Sequence, residues 1–248
     1  MHIGRTRFRR QILTEFAAPK DKKSGKVVIF CAGVPGAPEK DEVLEYFARK
    51  GYWAFFPRYR GCWESHGKFL KHSLEYDVFA VIDAMQKRFK DFWTDKSYRV
   101  KPEHITVVGS SFGGPAAILA TLDERVDKAV CISPVVDWVA EDKDDPLENL
   151  YKLIRKAFGG VYRIDKKNWN RLKDGDFYNP LPHIDKFDKD KIMIFHAEDD
   201  TIVKYKPVAK FADKLGCKLT TFEKGGHLSS SLLCSAASFR KVERFLHK

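Results

Sequence analysis

The sequence predicts an α/β fold with a mostly parallel sheet covered on both faces, and three observations carry that prediction. Short apolar runs alternate with segments of helical periodicity along most of the chain. Glycine and proline fall at the joints between them. The 248 residues, 44% hydrophobic and 32% charged, have globular composition and enough length to bury a core without a metal or disulfide staple. A single domain spanning residues 1–248 is expected.

The elements follow in order. A dense cluster, Arg5, Arg7, Arg9 and Arg10, reads as a basic edge strand. Lys26–Cys31 (KVVIFC) suits a buried strand, and residues 41–50 a helix stopped by Gly51. Residues 52–57 (YWAFFP) form a second buried strand. Leu74, Val78, Val81, Ile82, Met85 and Phe89 then mark one helical face. Residues 104–109 (HITVVG) make a strand and 113–121 an alanine-rich helix. Residues 127–132 and 191–196 (KIMIFH) are further strands. Val208, Phe211, Ala212 and Leu215 line a helix with Pro207 in its first turn and Gly216 at its end. Lys218–Phe222 is the last strand, and residues 229–247 are expected as one closing helix.

Residues 133–182 break the rhythm. They contain no strand-like run, but an acidic stretch (Glu141, Asp142, Asp144, Asp145), a helical segment at 147–158 and many aromatics. Such length suits a functional insertion rather than a plain loop. It leaves the sheet at the carboxyl end, where chemistry collects in this class. Trp138, Tyr151, Phe158, Tyr162 and Trp169 are therefore candidates for a substrate lid.

Several classes are excluded or disfavoured. No apolar stretch approaches the ~18 residues of a membrane span, and the arginine-rich start lacks a secretory signal's apolar segment. The five cysteines, Cys31, Cys62, Cys131, Cys217 and Cys234, are odd in number and scattered, which reads as free thiols in a reducing cytoplasm. No zinc-type spacing occurs, so neither a metal nor another cofactor is expected. The net charge of +11 arises from lysines interleaved with acids along the whole chain, so no nucleic-acid surface is expected.

The chemistry gathers on three short motifs. Gly109-Ser110-Ser111-Phe112-Gly113 fits G-x-S-x-G, with an apolar strand before it and a small-residue helix after it. In that context Ser111 is the candidate nucleophile, strained on a turn whose neighbours must be tiny. A serine hydroxyl needs a base, and the base needs an acid to orient it. The acid is sought in His196-Ala-Glu-Asp-Asp200, just past a strand, where Asp200 is preferred and Glu198 and Asp199 are rivals read as solvated charge. The base is His227 in Lys224-Gly-Gly-His227, after the last strand. His196 is expected merely to cap its strand, and His66 and His183 precede the acid in the chain. The oxyanion donors are the backbone N–H groups of Phe112 and of Val34, the latter on the glycine-containing loop Cys31-Ala-Gly33-Val34-Pro35-Gly36.

From Lys26 to the C-terminus the chain resembles the α/β-hydrolases, through CAGVPG, RYRGCWESHGKF, GSSFGG, HAEDDTIV and KGGH. Two branches are similar: small carboxylesterases of the feruloyl type, which carry a short lid at the place of residues 133–182, and the catalytic domain of the prolyl oligopeptidase family. The peptidases usually carry an oxyanion-binding tyrosine where this chain has Cys31, and the esterases usually have His-Gly where it has Ala32-Gly33. The resemblance implies acyl transfer from a small ester, including aromatic acyl esters, with a short peptide as the alternative substrate. In the peptidase reading the acidic stretch would hold a substrate's amino end. Asp77, Glu75 and the Arg60-Gly61 motif are expected only to brace loops.

Overall fold

The computed structural model describes residues 2–140 and 146–247. The acidic stretch Glu141, Asp142, Asp144 and Asp145 lies outside them. In chain order the structure runs β1 (Ile3–Phe8), β2 (Ile12–Ala17), β3 (Lys26–Cys31), α1 (Asp41–Arg49), β4 (Trp53–Pro57) and α2 (Glu75–Met85). A small hairpin, β5 (Phe89–Lys90) with β6 (Ser97–Tyr98), leads to β7 (His104–Ser110), α3 (Gly114–Ala120) and β8 (Lys128–Ile132). The insertion carries α4 (Pro146–Phe158) and α5 (Lys166–Asn170), and β9 (Ile192–Ala197), α6 (Tyr205–Leu215), β10 (Lys218–Phe222) and α7 (Ala236–Leu246) complete the chain.

Eight strands form one sheet in the order β1-β2-β4-β3-β7-β8-β9-β10. From β4 to β10 all neighbours are parallel, whereas β1–β2 and β2–β4 are antiparallel. The inner strands β3, β4, β7, β8 and β9 are buried on both faces, which is why they read as continuous apolar runs. Val27, Ile29 and Val107 face one core with residues of α2, α3 and α6, while Val28, Phe30 and Val108 face the other with α1 and α7. Among the described residues no helix is long and apolar enough to cross a membrane.

The structure adds to the sequence reading at three places. The basic cluster does form an edge strand, β1, but it pairs with a strand not anticipated, β2. The six residues of β2 are all buried, and they include Thr14 and Glu15, so no alternation or apolar run gave them away. Glu15 Oε1 accepts there from the guanidinium groups of Arg5 and Arg58. Arg9 and Arg10 turn the hairpin at φ 49° and 59°, a conformation that asparagine and glycine usually supply. The expected closing helix is broken: a 3₁₀ turn over Ser230–Cys234 ends at extended Ser235, whose hydroxyl caps α7 by accepting from Ser238 N–H.

The Arg58–Phe69 loop is braced as expected, but by a buried group. Asp77 is 3% exposed, accepts from Arg60 N–H at 2.8 Å and pairs with the Arg60 guanidinium. Burial, opposed by Arg60, pushes its carboxyl up to about 6. Gly61, next in the chain, has φ +83°, and a Cβ there would lie 2.0 Å from Phe69 N. Gly61→Ala is therefore expected to cost roughly 3 kcal/mol or more, read as a lowered urea midpoint with an unchanged m value.

Candidate active site

Ser111 follows directly on β7 and has φ +52°, the left-handed region that a serine rarely occupies. The turn closes because its neighbours lack side chains. A Cβ on Gly109 would meet Gly113 O at 2.4 Å, and one on Gly113 would meet Cys31 O at 2.3 Å. The loop after β3 thus runs against the turn. Gly33 comes so close that an added Cβ would stand 3.3 Å from Ser111 Cβ. Val34 is the next residue of this loop and is buried.

That loop is clamped from outside. Tyr59 donates its hydroxyl to Ala32 O at 3.0 Å. The Tyr162 hydroxyl accepts from Gly36 N–H at 3.1 Å and faces Gly36 O at 3.2 Å, an oxygen that also receives the Trp63 indole N–H. Cys31, the last residue of β3, is buried, and burial pushes its thiol well above the usual range. It is an inert packing thiol at this site.

Asp200 directly follows the two-residue turn, Glu198 and Asp199, that ends β9, and it is 4% exposed. Its Oδ1 accepts from Ile202 N–H at 2.9 Å and Val203 N–H at 3.0 Å, and its Oδ2 accepts from His227 Nδ1 at 2.9 Å. Burial acts to raise this carboxyl, but the His227 and backbone hydrogen bonds outweigh it and hold it below the ordinary range. The His227 side chain is 27% exposed. Asp199 is not the free loop charge the sequence suggested. Its Oδ1 accepts from Gly225 N–H at 3.0 Å and Gly226 N–H at 2.7 Å, fastening the loop that presents His227.

The serine turn and the histidine loop are tied through the start of the insertion. Val135 N–H donates to Ser111 O at 3.2 Å, and Ser133 Oγ accepts from Leu228 N–H at 3.2 Å. The Ser111 hydroxyl itself makes no hydrogen bond to the imidazole in this geometry. Catalytic contacts of this kind are often long before substrate binds.

The five lid candidates divide. Trp169 and Tyr162 are buried, at 1% and 2% exposure, so they support the site rather than face it openly. Trp169 stacks on Phe112 at 6.0 Å and donates its indole N–H to Leu147 O, while Tyr162 clamps the loop after β3. Trp138 is half-buried with its ring 4.8 Å from Phe112. Tyr151 packs on Trp169, and Phe158 on Tyr162. Tyr178, which the sequence reading did not single out, is buried and donates its hydroxyl to Phe112 O at 2.6 Å. Nothing local in the sequence separates it from the insertion's other aromatics. A cleft of about 360 Å³ lies beyond it, between Lys71–Tyr76 and Phe177–His183, and is lined by neither Ser111 nor His227.

Solved structures share this architecture. Est1E from Butyrivibrio proteoclasticus, with ferulic acid bound, superposes with a TM-score of 0.65 at 20% identity over 96% of this chain and 98% of that one. An esterase from Pyrococcus furiosus gives 0.66 at 18% identity, over 99% and 89% of the two chains. An acylaminoacyl peptidase from Pyrococcus horikoshii gives 0.63 at 16% identity, with 99% of this chain covering 40% of the peptidase. At these identities the likeness establishes the α/β-hydrolase fold. No curated protein sequence matches the chain. The sequence profile described as the prolyl oligopeptidase family matches residues 38–248, most of the chain. On that match and this fold, the chain belongs to the prolyl oligopeptidase family and is a serine hydrolase.

Proposed function

We propose that the protein cleaves carboxylic esters through an acyl-enzyme formed on Ser111, with His227 as base and Asp200 as the acid that orients it. The observation that carries this reading is a strained serine at φ +52° after β7 together with a His227–Asp200 hydrogen bond of 2.9 Å between the loops after β10 and β9, all three at the carboxyl ends of parallel strands of one sheet. His227 Nε2 takes the Ser111 proton as Oγ attacks the carbonyl carbon. The N–H groups of Phe112 and Val34 receive the oxyanion. The imidazolium then protonates the leaving alcohol, and water repeats the sequence on the acyl-enzyme. Asp200 stays ionised, which its three hydrogen bonds and lowered carboxyl support.

Ester rather than peptide cleavage is favoured by the oxyanion side. Where the peptidases place a tyrosine hydroxyl, this chain has the buried Cys31, so the hole is made by backbone groups alone. Aromatic acyl groups are the proposed preference, with half-buried Trp138 beside Phe112 as the surface that would receive them. A short-peptide substrate is the second reading, supported by the family match.

The direct test is a panel of acyl esters and short peptide amides on wild type and Ser111→Ala. Ser111→Ala should lose on the order of 10⁶ in kcat and keep its fold, with esters turned over faster than amides by wild type. An inactive Ser110→Ala beside an active Ser111→Ala would overturn the assignment.

The two aspartates should separate in kinetics. Asp200→Ala is expected to lower kcat by about 10⁴. Asp199→Ala should lower it by roughly tenfold through the His227 loop, with little change in KM. Equal effects would contradict the division of roles.

The insertion should govern acyl choice through its half-buried members. Trp138→Ala is expected to change the ratio of kcat/KM for aromatic over acetyl esters by about tenfold, while acetyl turnover survives. Trp169→Ala should instead cost about 3–5 kcal/mol of stability. An unchanged acyl ratio in Trp138→Ala would remove that residue from the substrate surface.

A further inference from the structure

A second imidazole lies beside the His227–Asp200 pair. His196 is in β9, opposite Thr221 of β10, and is 0% exposed. Its Nε2 stands 2.9 Å from the Val203 carbonyl oxygen and 3.5 Å from Asp200 Oδ2. Both neighbours accept hydrogen bonds, so Nε2 carries the proton. Nδ1 is then a bare acceptor, and it is buried with no hydrogen-bond partner in the protein. An unsatisfied buried acceptor is costly. A phenyl ring would fill the same space without that cost, and would lack only the Nε2–H.

What that N–H does is visible from the acid. Asp200 Oδ1 holds two backbone donors, and Oδ2 holds His227 on one side with His196 facing it on the other. The titratable groups facing His196 are Asp200 from the following loop, His227 from the loop after β10, and Tyr205 from α6. The Tyr205 ring lies 5.9 Å away and its hydroxyl pairs with Thr221. Burial holds the His196 imidazole below the ordinary histidine range, against the pull of Val203 O and Asp200. The ring is thus a neutral donor, not a second cation competing with His227.

Resting on the triad reading above, we propose that His196 is a positioning residue. Its Nε2–H, hydrogen-bonded to the Val203 carbonyl and 3.5 Å from Asp200 Oδ2, presents its positive end to the carboxylate, holds that carboxylate's rotation, and limits how strongly it holds a proton on His227. Without that N–H dipole beside it Oδ2 becomes more basic and stabilises the imidazolium more. The base is then neutral in a smaller fraction of molecules at a given pH, so the acid limb of the activity profile moves up.

The test is kcat/KM against pH for wild type, His196→Phe and His196→Gln, each normalised to the fraction of molecules titrated by a fluorophosphonate. His196→Phe should raise the acid-limb midpoint by about half a pH unit and lower plateau kcat several-fold. His196→Gln, whose side-chain amide N–H reaches the place of Nε2–H, should return the midpoint toward wild type. Wild-type midpoints in both variants, with only a smaller titratable fraction, would reduce His196 to packing and overturn the proposal. Should neither variant fold, ¹⁵N-histidine NMR of the wild-type protein decides. A neutral Nε2–H ring from about pH 5 to 9 supports the proposal, and an Nδ1–H tautomer or a titration in that range refutes it. Asp200→Asn, run alongside, separates the two readings: if its activity and profile equal wild type, the triad assignment itself has failed.

Discussion

Holding a serine at φ +52° between a parallel strand and a helix sets the terms for its surroundings. The strain has to be supported by the neighbouring structure, or the turn relaxes. Support comes from three directions. From β3, the carbonyls of Cys31 and Ala32 press against Gly113, leaving no room for a side chain there. From the insertion, Val135 N–H holds the Ser111 carbonyl, and Tyr178 holds that of Phe112. From within, Phe112 is packed among Phe69, Trp138, Trp169 and Tyr178. The aromatics of the insertion are thus first of all the packing behind the turn, and only those left half-buried are free to meet a substrate.

A second constraint is the burial of Asp200. A carboxylate out of water must be surrounded by donors, and meeting that demand draws the next loops into place. Its own loop folds back to give two N–H groups, and the loop after β10 gives His227. Asp199 then secures the latter loop at its two glycines. Adjacent acids therefore do different work: one is buried and pairs with the imidazole, and the other stays at the surface and holds backbone.

Much of this was legible in the sequence for a physical reason. Strands buried on both faces must be apolar throughout, so β3, β4, β7, β8 and β9 announced themselves. The serine turn was legible because glycines at 109 and 113 are demanded by close approach, and the order Ser, Asp, His places each residue at a strand's carboxyl end. The strand β2 was not legible, because Thr14 and Glu15 are buried within it and one of the two arginines that hold Glu15, Arg58, lies 43 residues along the chain. Ser235 looked like part of a helix because a serine also fits inside one, and the extended backbone that lets its hydroxyl cap α7 does not show in the residue pattern. Asp199 looked solvated because its partners are backbone N–H groups 26 and 27 residues away. Tyr162 and Trp169 could not be told from substrate-facing aromatics, since burial of an insertion is settled by tertiary packing.

The claim on which the account stands is that Ser111 is the residue acylated during turnover. The most direct measurement is to react the folded protein with a fluorophosphonate, digest it and locate the adduct by mass spectrometry. The account predicts one phosphonylated site, Ser111, with labelling slowed when Asp200 is replaced by alanine. An adduct on Ser110, or ester hydrolysis that continues with no serine labelled, would contradict it.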